Sequence, residues 1–176
     1  MGVHSLIKDP KNTISLRPYI RADARRCAEI FRTSIEVLTE DDYSEDQRAA
    51  WSSSGDDYES FGNRLGAMLT LMALFDGEEA GFASLKGPEE IDMLFVAPEF
   101  ARRGVATTLL DALDKLARAR GAKRLTTEAS DVAKPLFERL GFVAQKRNLV
   151  RKGDEWLANT TLTKALQSEA LSQQMH

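Results

Sequence analysis

Hydrophobic and polar positions change their period several times along the chain, and each change marks a predicted element. Ile14-Ser15-Leu16-Arg17 alternates as a half-buried strand does, and Pro18, with no N–H to give a ladder, ends it. From Asp23, placed as N-cap, the apolar positions Ala24, Cys27, Ala28, Phe31, Ile35 and Leu38 recur at helical spacing. Ser44-Glu45-Asp46-Gln47 has the form of a capping box opening a short helix that carries Trp51. After the polar stretch Ser52 to Asp56, a second short helix runs through Tyr58, Phe61 and Leu65. Met68 to Phe75 and Glu79 to Leu85 predict two strands joined at Asp76-Gly77, a dipeptide suited to a tight hairpin. Gly87-Pro88 breaks the chain before a strand from Ile91 to Val96.

Thr107 to Arg120 predicts a longer helix, because Leu109, Leu110, Leu113, Leu116 and Ala117 share one face and Gly121 follows as terminator. Arg124 to Ala129 is a strand, and Pro135 to Leu140 a short helix with proline in its first turn and Gly141 after its end. Val143 to Val150 and Trp156 to Thr163 form a last hairpin through Lys152-Gly153-Asp154. The order predicts a mixed, mostly antiparallel α/β (α+β) sheet of six to seven strands with helices on both faces. A single domain over residues 1–164 and a frayed helical tail over 165–176 are expected.

Composition narrows the chemistry. A chain of 176 residues with formal charge −3 has the balance of a soluble globular domain and lacks the basic surface of a nucleic-acid binder. The longest apolar run, Ala67 to Phe75, is too short for a membrane span, and the first residues lack the basic-then-apolar order of a signal peptide. Cys27 is the sole cysteine and lies on the apolar stripe of its helix, as core filling does; a cytoplasmic setting is expected. His4 and His176 are the only histidines, both near the ends, so a histidine triad or a histidine metal site is excluded as an expectation. Carboxylates, hydroxyls and backbone dipoles must carry any reaction.

One segment concentrates such dipoles. The strand Ile91 to Val96 is stopped by Pro98 and leads through Ala101-Arg102-Arg103-Gly104-Val105-Ala106-Thr107 into the long helix. A basic, glycine-containing turn before a helix presents unpaired N–H groups to a diphosphate; the same turn would also serve packing and solubility alone. The segment resembles the signature of the GCN5-related N-acetyltransferases, Gln/Arg-x-x-Gly-x-Gly/Ala, with Gly104 and Ala106 in its last two fixed positions and Ala101 in place of the usual Gln or Arg. A second segment, Ser130 to Phe142, is similar to the family's Asn-x-x-Ala-x-x-x-Tyr-x-x-x-Gly-Phe. Ala133, Gly141 and Phe142 match, whereas Ser130 stands for the Asn, which in the family holds the pantetheine arm, and Phe137 for the Tyr, which there protonates the departing thiolate. Its wording is similar to that of a bacterial branch typified by YafP-like acetyltransferases.

The resemblance implies the family's fold and transfer of acetyl from acetyl-CoA to a primary amine of a small molecule or peptide by direct attack, with no metal. A CoA-binding sensor, or a degenerate member without turnover, is the alternative raised by Ala101 and Phe137. The resemblance also implies a diphosphate site at Arg102, Arg103, Gly104, Val105, Ala106 and Thr107 and a pantetheine site along the backbone of Leu94, Phe95 and Val96. Ser130 and Phe137 complete this cofactor set. Glu90 and Asp92, two apart on one strand, share a sheet face, and with Glu128 they are the candidate catalytic carboxylates. Aspartate is disfavoured in strands, which singles out Asp92. Tyr43, Trp51, Tyr58 and Phe61 fall in the segment that shapes the acceptor pocket in this family, although aromatics there also serve as core. A homodimer is common in the family.

Overall fold

The computed structural model describes residues 11–167; His4, His176 and positions 168–176 of the expected tail lie outside them. The strands are β1 (Ile14–Pro18), β2 (Leu69–Phe75), β3 (Glu78–Lys86), β4 (Glu90–Val96), β5 (Arg124–Ser130), β6 (Val143–Lys152) and β7 (Glu155–Ala165). They form one sheet in the order β1-β2-β3-β4-β5-β7-β6, antiparallel except where β4 meets β5. The helices are α1 (Ala24–Leu38), α2 (Glu45–Ser52), α3 (Tyr58–Gly66), α4 (Val105–Ala119) and α5 (Lys134–Arg139). None of the described helices is long and apolar enough to cross a membrane.

Alternation along β3 shows how two helical layers share the sheet. Phe82, fully buried, packs edge-on against Phe61 of α3, and its register partner Phe95 meets Phe31 of α1. The preceding Gly81 faces the other layer, where a Cβ would lie 2.8 Å from the Phe95 carbonyl oxygen and 3.1 Å from Cγ1 of Val105. Glycine there lets the first turn of α4 settle onto the strands. Leu109, Leu110, Leu113 and Ala117 then bury the apolar stripe of α4, as their spacing predicts.

The turns follow their local chemistry. Asp76 and Gly77 both take positive φ, 48° and 88°, as a primed hairpin requires, and Asp76 also accepts the Thr13 N–H at 2.8 Å. The capping box forms in both directions: Gln47 N–H donates to Ser44 Oγ at 3.1 Å, and Ser44 N–H to Gln47 Oε1 at 2.9 Å. Asp23 departs from its expected role. A tight turn over Arg21–Asp23 precedes α1, so Asp23 is already in the helical region and makes no side-chain bond to the helix. Its carboxylate accepts from the Ile20 N–H at 2.9 Å and from both terminal nitrogens of Arg17 at 2.7 and 2.9 Å. Burial opposes the charge, but these hydrogen bonds outweigh it and hold the carboxyl below its ordinary value.

One further stretch departs from its expected place, and Cys27 keeps the core place that its helical stripe predicts. β7 runs to Ala165, and Leu166 is buried with its N–H on the Lys123 carbonyl at 2.8 Å, so the chain is ordered sheet and core where a frayed tail is expected. Cys27 is fully buried and burial pushes its thiol up to about 12, as suits a packing residue and not a nucleophile.

Candidate active site

β4 and β5 are parallel neighbours that pair only at Glu90 with Thr126 and Ile91 with Thr127, and then part. Thr126 N–H donates to the Glu89 carbonyl at 2.8 Å and Thr127 Oγ1 to the Ile91 carbonyl at 3.2 Å, which fixes the apex of the opening. Against β3 the register jumps, because Leu85 opposes Ile91 while Ser84 opposes Met93. Asp92 is therefore the extra residue of a bulge, and a bulge bends its strand and re-aims a side chain. An aspartate inside an apolar strand has this structural consequence: it sits where the ladder is already interrupted.

A cleft of about 210 Å³ opens at the apex. Glu90, Asp92 and Glu128 all line it, together with Ser130 and the aromatic side chains of Trp51 and Phe95. Asp92 is largely buried and its Oδ2 accepts from Arg64 of α3 at 2.9 Å; Arg64 is more than half exposed. Glu90 and Glu128 are exposed to solvent at the cleft wall. A narrower groove continues past Phe95 and Ser130 between Leu94 to Val96 on one side and Val132 and Ala133 on the other. Among the described residues the β5-facing edge of β4 has no strand partner along this groove, so its backbone groups can meet an extended ligand.

Groove and helix end are joined by the turn after Pro98. Gly104 is the N-cap of α4 in the left-handed region, φ 87° and ψ 4°, and contributes no side-chain cap. Arg102 also has positive φ, 61°. Among the described residues no backbone carbonyl accepts from the N–H groups of Val105, Ala106 or Thr107, the orphan donors of a helix start. The helix begins two residues before the predicted Thr107, because the left-handed glycine turns the chain directly into it. A Cβ on Gly104 would meet only Ile14 Cδ1, at 3.7 Å; conformation, not crowding, demands glycine. The Arg103 guanidinium lies over the Phe75 ring at 5.3 Å, while Arg102 is exposed. These donors, the dipole of α4 and two arginines fit a diphosphate.

The remaining expected residues divide. Ser130 lines both cleft and groove, and its Oγ accepts from the Ala133 N–H at 3.2 Å, leaving the hydroxyl proton to donate elsewhere. Phe137 is buried at 2% exposure and packs edge-on with Phe142, ring centroids 5.1 Å apart; it lines neither opening. Tyr43 and Trp51 line the cleft as neighbouring rings at 5.5 Å, whereas Tyr58 lies beneath the Arg25 guanidinium and Phe61 is core. The Tyr43 hydroxyl is committed to the fold: it accepts from the Asp131 N–H at 3.0 Å and donates to the Ala158 carbonyl at 2.8 Å, and burial raises its phenol. It ties the end of β5 to β7 and is not free to give a proton to a leaving group. Arg64, Lys152, Leu157 and Asn159 also line the cleft and were not singled out by spacing or motif. Nothing in the local sequence marks a surface arginine of α3 or a hairpin lysine as a site residue.

The family model for the acetyltransferase (GNAT) domain matches residues 39–161. The chain is 34% identical over 148 residues to the uncharacterised N-acetyltransferase YafP of Escherichia coli strain K12, covering 84% of this chain and 93% of YafP. A GCN5-related N-acetyltransferase of Rhodopseudomonas palustris, described as an aminotransferase of class II, superposes with TM-score 0.86 at 56% identity over 88% of this chain and 96% of that one. PaiA N-acetyltransferase of Thermoplasma acidophilum, solved in complex with coenzyme A, shares the fold with TM-score 0.71 at 19% identity, over 87% and 99% of the two chains.

Proposed function

Because the chain belongs to the acetyltransferase (GNAT) family, we propose that it transfers the acetyl group of acetyl-CoA to a primary amine by direct attack within the cleft at the apex of β4 and β5. The observation that carries the reading is the continuity of uncapped helix start, unpaired strand edge and carboxylate-lined cleft. The N–H groups of Val105 to Thr107 hold the diphosphate, aided by Arg102 and Arg103, and the backbone of Leu94 to Val96 holds the pantetheine arm. This lays the thioester at the apex beside Asp92, and the crystallised complex of PaiA with coenzyme A supports the assignment of that cosubstrate.

The amine nitrogen attacks the thioester carbonyl, a C–N bond forms, the C–S bond breaks, and the sulfur leaves with its electron pair. A backbone N–H of the open β4 edge polarises the carbonyl oxygen. Asp92 takes the proton the amine must lose, directly or through water, with Arg64 orienting the carboxylate; Glu90 and Glu128 stand on the same cleft for the same task. Ser130, whose hydroxyl proton has no acceptor among the described residues, serves as the acid that protonates the departing thiolate. The buried Phe137 has no hydroxyl to give, which favours the second reading, a CoA-binding sensor without turnover. Thiol release from acetyl-CoA, followed with a panel of amines, separates the two. Release above the amine-free rate is expected, and CoA binding with no release from any amine would select the sensor.

A further inference from the structure

The cleft has an acidic end and a basic end. Glu90, Asp92 and Glu128 gather at the apex, with Arg64 paired to Asp92. Lys152, the last residue of β6, lines the same cleft from the hairpin side. On β7, Glu128 is registered opposite Thr161 and Lys152 opposite Glu155, so the two levels are six residues apart, roughly 20 Å along a strand. Among the described residues Lys152 forms no ion pair within 4.0 Å, although Glu155 faces it in register and the neighbouring Arg151 pairs with Asp154 at 3.8 Å. Between the two ends the wall carries the apolar side chains of Trp51, Val150 and Leu157, with the polar Ser130 and Asn159 beside them.

A cationic nitrogen is drawn to the apex, because three carboxylates there outnumber one arginine. The far end offers an ammonium to the opposite charge. Resting on the acetyltransferase reading above, we propose that the acceptor is a zwitterion: a primary amine that enters the apex, an apolar body along Trp51 and Leu157, and a carboxylate that meets Lys152. The same arrangement disfavours a diamine or polyamine, whose second cation would face Lys152 at the end of the cleft where no carboxylate is among the described lining residues.

Three acceptors with the same chain, long enough to bridge the two levels, test this: 10-aminodecanoate, decylamine and 1,10-diaminodecane. With wild-type protein, kcat/KM is expected to fall in that order, with about fivefold separating amino acid from monoamine, the size of an exposed ion pair. Lys152→Glu should exchange the ranks of the amino acid and the diamine, and Lys152→Gln should level the amino acid with the monoamine. Lys152 is exposed at the strand end, so both variants are expected to fold, which circular dichroism checks. Binding of the same compounds to the CoA-loaded protein, read by ligand-observed NMR, should follow the same order. Graded binding without thiol release would overturn the transferase reading and support the zwitterion site. Equal kcat/KM for all three, a preference for the diamine, ranks unchanged in Lys152→Glu, or no binding of any of the three would overturn the zwitterion site.

Discussion

The turn before α4 and the cleft at the apex of β4 and β5 are adjacent, yet they are built from different materials. The turn offers backbone: a left-handed Gly104, the orphan N–H groups that follow it, and a helix dipole. The cleft offers side chains brought from β4, β5, α3 and the tip of the last hairpin, namely Asp92, Glu128, Arg64 and Lys152. A backbone device depends on conformation and tolerates changes of side chain that keep it. A side-chain device depends on each functional group and tolerates changes elsewhere. The first suits a ligand common to a whole family, and the second suits an acceptor that differs between its members.

The largest expected effect tests the side-chain half. Asp92→Asn keeps the shape of the bulge and removes the carboxylate, so turnover should fall by about 10² or more while CoA affinity stays within a few-fold. Steady-state kinetics and calorimetric titration on one preparation give both numbers. A parallel loss of CoA binding would mean that Asp92 supports the whole site, and unaltered turnover would transfer the role to Glu90 or Glu128.

A smaller effect is expected at the backbone half, where the identity of the side chain should matter less than its φ. Gly104→Val forces a β-branched residue into the left-handed region at a cost of about 1–2 kcal/mol and should weaken CoA binding about tenfold. Gly104→Asn, which tolerates that region, should retain most of the affinity, since the space around a Cβ there is open. If both variants lose CoA equally, close approach of the ligand and not conformation explains the glycine. If neither does, the cradle lies elsewhere.

Phe137→Tyr gives the sharpest contrast between motif and place. The family's pattern puts a proton-donating tyrosine at this position, but the ring here is buried against Phe142 and lines neither opening. An added hydroxyl without a partner should cost about 1–3 kcal/mol, visible as a lower Tm, with no gain in turnover. A faster variant of unchanged Tm would place the ring tip beside the thiolate after all, and Ser130 would lose its claim.

Much of the fold was legible from periodicity because burial is a local pattern: the strands, the α4 stripe, the Ser44 capping box and the Asp76-Gly77 turn need only near neighbours to be read. Asp23 and Phe137 were harder for one reason. Asp23 bonds Ile20 at the N3-to-N-cap spacing of the turn before α1 and reaches Arg17 on β1, and Phe137 meets Phe142 beyond the end of α5, so their places depend on where those helical turns begin and end. Asp92 was marked by its oddity, a carboxylate in an apolar strand, but only the register against β3 explains it as a bulge.

By itself, the sequence determined which segments become helix or strand, the basic glycine turn, and the family that turn signals, since these rest on interactions spanning a few residues. Tertiary structure decided where β4 and β5 part, which of several carboxylates share a cleft, that Tyr43 is spent on holding β5 to β7, and that Lys152 faces the acidic apex from the other end. Those outcomes depend on contacts between residues far apart in the chain, such as Arg64 with Asp92, and their energies come from burial and charge pairing that exist only once the sheet has closed.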